Sequence, residues 1–114
     1  MNISKEDQQK VQELQLLDQN LQAMLMQKQN FQAQLMEVES AMEELAKTSK
    51  AYKIIGNIMI DSSKDDLKND LDSKKEILSL RIKTIQSQED KLKEKAADLQ
   101  KEVLNKIKNA GTNK

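Results

Sequence analysis

The side chains best suited to chemistry in this sequence are carboxylates, which stand side by side at Glu43-Glu44 and Asp65-Asp66. Paired carboxylates can move protons or hold a divalent cation when they converge on one point. Adjacent residues of a helix point in different directions, however, and the chain has no histidine and no cysteine to complete such a site. The commonest metal ligand and the usual base near neutral pH are thus missing, together with thiolate and disulfide chemistry. These carboxylates read as solvated charges, and neither catalysis nor a cofactor is expected. The cluster Lys91-Leu92-Lys93-Glu94-Lys95 is the nearest approach to a nucleic-acid patch. Its acidic neighbours neutralise it and no aromatic lies beside it to stack on a base, so no nucleic acid is expected as a partner. The sequence also lacks a phosphate-cradling P-loop. What remains is apolar and repetitive, and its chemistry is that of holding other chains.

The elements that would present those apolar residues are written in the composition. One third of the 114 residues are charged, 37% are hydrophobic, and Phe31 and Tyr52 are the only aromatics, a composition suited to helices paired along a narrow seam. Proline is absent and glycine occurs only at Gly56 and Gly111, so long helices are permitted on both sides of Gly56. The formal net charge is zero, but residues 1–51 carry five lysines against eight acids and residues 52–114 carry fourteen basic residues against eleven acids. Opposed charge favours the two halves lying side by side, although exposed pairs contribute only about 0–1 kcal/mol each. No apolar run approaches the roughly 20 residues needed to span a bilayer, and the first residues lack the apolar core of a signal peptide. No membrane partner and a cytoplasmic location are expected.

From Leu14, steps of three and four residues pick out Leu14, Leu17, Leu21, Met24, Lys28, Phe31, Leu35, Val38, Met42 and Leu45. A helix satisfies such a heptad pattern by winding its seam around a partner. Ser4 with Asp7 three residues on resembles a capping box, which predicts a first helix from about 5 to 47, roughly 65 Å long. The second half repeats the pattern at Leu71, Lys75, Leu78, Ile82, Ile85, Glu89, Leu92, Ala96, Leu99 and Val103, with Ile107 one position out of step. Ser63 with Asp66 marks its start, predicting a second helix from about 64 to 109 and a frayed tail at 110–114. The ten glutamines between Gln8 and Gln34 are interleaved with the seam and read as the polar face of the first helix. Met24, Met26, Met36 and Met42 suggest an adaptable surface for apolar partners. Because Met24 and Met42 fall on the seam, core packing is expected of the four.

Between the helices the period is lost and β-branched residues concentrate, predicting a hairpin over about 51–62. Gly56-Asn57 suits a two-residue turn with positive φ at its first central residue, so Ile55 would face Ile58 and Ile54 would face Met59. The single unit spanning 1–114 is therefore expected to be mainly α, a long antiparallel two-helix coiled coil with a short β-hairpin between the helices. In the register that closes just outside the hairpin, Leu45 sits opposite Lys75, Lys28 opposite Leu92 and Phe31 opposite Glu89. Lys28 and Glu89 then fall in adjacent layers of opposite helices. Either they form a half-buried ion pair that fixes the register, or both reach out to water.

Pairing puts Lys53, Ile55, Ile58 and Ile60 on one face of the hairpin and Tyr52, Ile54, Met59 and Asp61 on the other. Burying the six apolar side chains would contribute about 9–18 kcal/mol. Ordering the hairpin costs roughly 15 kcal/mol, so alone it is near balance even with full burial. Strands of other chains must complete the sheet. Tyr52, Ile54, Ile55, Gly56, Asn57, Ile58, Met59 and Ile60 are therefore expected to form an oligomerisation hub, with the helices as its arms.

With these elements in place, the chain resembles the β-class subunits of the prefoldin family, of the archaeal type. The resemblance spans about residues 5–108 and rests on the glutamine-rich first helix with Met26-Gln27-Lys28-Gln29, the exit Met42-Glu43-Glu44-Leu45, the segment Tyr52-Lys53-Ile54-Ile55-Gly56-Asn57-Ile58, and Leu80-Arg81-Ile82-Lys83-Thr84-Ile85 followed by Gln88-Glu89. It implies an ATP-independent chaperone: a hexamer of two α-class and four β-class subunits whose hairpins form a β-barrel carrying six coiled-coil tentacles. It further implies that non-native proteins are captured at the distal tips and delivered to a group II chaperonin. Mapped onto this chain, a tip comprises Ile3, Val11, Leu14, Val103, Leu104 and Ile107, of which Val11, Leu104 and Ile107 are the stronger candidates. The alternative is that these residues simply finish the coiled coil, which is the reading favoured for Leu14 and Val103. The competing function is a coiled-coil scaffold or tether that binds one folded partner.

Overall fold

The computed structural model describes residues 4–112, in the order α1 (Lys5–Lys47), β1 (Ala51–Ile55), β2 (Ile58–Ser62) and α2 (Lys64–Thr112). Both helices begin where a serine can cap them. The Asp7 amide donates to Ser4 Oγ at 3.1 Å and the Asp66 amide donates to Ser63 Oγ at 3.0 Å. Each bond satisfies an amide that the first helical turn leaves open, and acidic residues in both first turns complement the helix dipole. α2 continues to Thr112, past the end expected near residue 109, so Ala110, Gly111 and Thr112 are helical rather than part of a frayed tail. Nothing there stops a helix: proline is absent, and one glycine costs only about 1 kcal/mol.

The chain divides into two compact units, one comprising Lys28–Thr84 and the other the described residues of Met1–Gln27 and Ile85–Lys114. In the unit Lys28–Thr84, the seam of α1 contributes Val38 and Leu45 as buried residues and α2 contributes Leu78, with Phe31, Leu35, Met42, Leu71 and Ile82 half-buried around them. α1 ends at the turn Thr48-Ser49-Lys50, where Thr48 Oγ1 donates to the Lys50 carbonyl at 3.0 Å and accepts from the Lys50 amide at 3.3 Å. Lys64 Nζ reaches back to the Ala46 carbonyl at 3.4 Å, covering an acceptor that the last turn of α1 leaves open. The strands form one two-stranded antiparallel sheet in which Ile55 pairs with Ile58, Ile54 with Met59 and Ala51 with Ser62.

The helices of this unit pair one heptad away from the expected register. Lys75 meets Glu39, Nζ to Oε1 at 4.0 Å, rather than Leu45. The Arg81 guanidinium stands 5.7 Å over the Phe31 ring, and Leu45 lines a groove with Leu67 and Leu71. The cause is the tight turn. With Ile55 against Ile58, residues equally far from Gly56 and Asn57 come face to face, and the helices inherit that count. A heptad pattern taken alone fits nearly as well after a shift of one full repeat.

In the second unit, Leu17 and Ile85 are buried, and Leu14, Leu21, Met24, Leu92, Ala96, Leu99 and Val103 are half-buried. The seam includes one buried charge, Glu89, at 2% exposure. Ion pairs between Asp7 and Lys106, Lys10 and Glu102, and Glu13 and Lys95 run in opposite order along the two helices, which sets them antiparallel. No large side chain among the described residues of the chain is wholly enclosed, as follows when helices have one layer of packing and no second.

Candidate functional site

The hairpin is built around one backbone torsion. Gly56 has φ +61°, and no other described residue has positive φ. Asn57 therefore takes negative φ, which is the two-residue turn whose twist matches that of the flanking strands. Space around Gly56 is open, so the restriction on a side chain there comes from the torsion and not from crowding. From Ile54 to Ile60 the strands present their side chains to solvent on both faces; Ile54 is 67% exposed, and Ile55, Ile58, Met59 and Ile60 are also exposed. Lys53, on the strand, extends to Asp70 of α2 at 3.5 Å. This contact ties the hairpin to the helix that follows it.

At the base of the hairpin, Ala41, Leu45, Tyr52, Leu67 and Leu71 line a groove of about 410 Å³ together with the polar Glu44, Thr48 and Lys50. Tyr52 therefore contributes to two surfaces, the strand face and this groove. The sheet and the groove both lie within the unit Lys28–Thr84, with Tyr52 common to them.

In the other unit the expected tip residues divide by exposure. Leu104 stands 58% exposed, whereas Val11, Leu14, Val103 and Ile107 are half-buried by the helix pair. Ile3 lies outside the described residues. Asp7 Oδ1 is 3.1 Å from Lys106 Nζ, and Lys10 Nζ is 3.3 Å from Glu102 Oε2. Desolvation raises the Asp7 pKa, but the contacts with Lys106 and Ser4 and the charge of Lys10 outweigh it and hold the carboxyl below its ordinary value. The hydrogen bond and charge of Asp7 in turn push Lys106 up.

Of the three polar seam residues, Lys28 is half-buried and Lys75 exposed in the unit Lys28–Thr84, and Glu89 is buried in the other. Met24 and Met42 are half-buried, whereas Met26 and Met36 stand 72% and 69% exposed, so core packing does not extend to these two. Leu16, Leu25, Ile77 and Leu80 are exposed apolar residues that the seam pattern passed over. Their signal was their position off the three-and-four spacing. Glu43, Glu44, Asp65 and Asp66 are all exposed, and among the described residues no three acidic side chains gather where a metal ion could sit. No helix among the described residues is long and apolar enough to cross a membrane.

Comparison with known proteins places these features in a family. The family model described as Prefoldin subunit matches residues 8–110. The chain is 42% identical to the prefoldin subunit beta of Archaeoglobus fulgidus over 101 residues, covering 86% of this chain and 87% of that protein. It is also 42% identical to the prefoldin subunit beta of Sulfurisphaera tokodaii over 60 residues, covering 53% of this chain and 48% of that one. The crystal structure of the prefoldin beta subunit from Thermococcus strain KS-1 superposes with a TM-score of 0.86 at 30% identity, over 91% of this chain and 94% of that chain.

Proposed function

Because the chain belongs to the prefoldin subunit family, we propose that it is a β-class subunit of an ATP-independent chaperone that captures non-native proteins at its helix ends, prevents their aggregation and delivers them to a group II chaperonin. The observation that carries this reading is the hairpin, whose apolar side chains from Ile54 to Ile60 stand exposed on both faces in the single chain. A two-stranded sheet without a covering layer is marginal in water, and an apolar edge left open invites aggregation. Strands of neighbouring subunits supply the missing layer. The partners are α-class subunits and further copies of this chain, two α with four β, their hairpins closing into a barrel in the cytoplasm.

Assembly places several weak apolar ends around one space. Each end releases readily, while together they hold a client through raised effective concentration. Holding of this kind requires no nucleotide. The test is deletion of residues 1–11 and 104–114 from the chain assembled with an α-class partner. Suppression of client aggregation is lost while the mass of the assembly, corrected for the deleted residues, is kept. Undiminished suppression refutes capture at the ends and favours a tether that binds a folded partner.

A further inference from the structure

The ends of α1 and α2 are joined by a ladder of charge with a defined sequence. Along α1 the order is Asp7, Lys10, Glu13; along α2, read in the opposite direction, it is Lys106, Glu102, Lys95. Acid faces base at every rung, at 3.1, 3.3 and 3.7 Å. Sliding one helix by a turn would set Asp7 against Glu102, acid against acid. In that slid alignment Lys10 would meet Asp98 and Glu13 would meet Lys91, so the ladder attracts the two ends and its preference for this alignment rests on the Asp7 rung.

The rungs also cover apolar surface. The side chains of Asp7 and Lys10 are only 16% and 24% exposed, low values for surface charges. Val11 and Val103 lie between the rungs and Ile107 just beyond Lys106, each half-buried, while Leu104 faces solvent. We propose that these three ion pairs form a latch that keeps the helix ends closed, and that capture of a non-native chain begins at Leu104 and proceeds by opening the latch to expose Val11, Val103 and Ile107. The latch rests on the reading of the helix ends as the client site. Its physical basis is that in every pair at least one partner stays open to water, which keeps the pairs weak and exchangeable, so the closed state is sufficient to hide the apolar strip from water yet yields to an apolar competitor.

The test compares Glu102→Lys, which sets like charge against Lys10, with the exchanged pair Lys10→Glu/Glu102→Lys, all in the full chain. Two quantities are read: amide hydrogen exchange over residues 5–13, without client, and the amount of protein that half-suppresses aggregation of dithiothreitol-reduced insulin. The single change speeds exchange on the order of tenfold. It also lowers the half-suppressing amount about threefold, since the apolar strip is already open. The exchanged pair moves both values back toward the parent. Unchanged exchange in Glu102→Lys overturns the latch. Faster exchange with suppression no better than the parent's overturns its link to capture. A Leu104→Ser chain separates the two readings. If it and the end-deleted chain hold insulin as well as the parent, capture at the ends fails, whatever the exchange rates. If it holds insulin less well while Glu102→Lys leaves exchange unchanged, the latch alone fails.

Discussion

Ile54 and Met59 face each other across the hairpin as direct strand partners, and both remain largely exposed to solvent. They share their face with Tyr52 and Asp61, so a negative charge placed at either position finds no cation on that face of the sheet. Ile54→Asp therefore leaves the helices intact but prevents another strand or sheet from covering this face. Native mass spectrometry of the variant mixed with an α-class partner should show free subunits, while far-ultraviolet circular dichroism retains the helical signal. Persistence of the full assembly would remove the hairpin from the interface.

The turn gives a second test because its constraint is purely torsional. Gly56 sits at φ +61° with open space where a Cβ would point. Gly56→Ala then costs about 1–2 kcal/mol through backbone sterics alone. A D-alanine at the same position, introduced by chemical synthesis, restores the stability because its preferred φ is positive. Equal loss with both enantiomers would point to crowding instead.

Leu78 and Leu80 lie two residues apart on α2, one buried on the seam and the other 65% exposed. Leu78→Ala is expected to lower stability by about 2–5 kcal/mol in urea denaturation, because it leaves a void against α1. Leu80→Ala in the same isolated chain should stay within about 0.5 kcal/mol of the parent. The contrast checks the rotation of α2 about its axis.

These residues also show which parts of the structure were legible in the sequence. Ile55 and Ile58 announced themselves because β-branched runs around Gly-Asn are a local signal, read without knowledge of anything distant. The buried positions Leu17, Val38 and Leu45 followed from spacing for the same reason. Helix register was not legible. Lys75 meets Glu39, six residues from the Leu45 that the seam suggested, because a repeating pattern nearly matches itself after one repeat and the seam spacing does not carry the count set by the turn. Exposure of Met26 and Met36 escaped because hydrophobicity records what a residue tolerates, not where the helix turns it. The partners of Asp7 and Lys10 escaped too, since charges every few residues offer many equivalent matches.

The pairing of Asp7 with Lys106 has a pH signature whose sign follows from the direction of each shift. Asp7 is held below its ordinary carboxylate value, so its contribution to stability is complete above that value and is lost as pH falls through the lowered one. Lys106 is pushed above the ordinary lysine value, so its contribution is complete below that value and is lost as pH rises through the raised one. Across the neutral range the contact is therefore insensitive to pH. Carbon-detected NMR of the Asp7 carboxyl should give a titration midpoint below that of an unstructured aspartate, and Lys106→Met should move it upward. In the same variant desolvation, which opposes ionisation of Asp7, loses its main counterweight. A midpoint that stays in place after Lys106→Met would mean that the helix N-terminus and Ser4, not the partner helix, set the charge of Asp7.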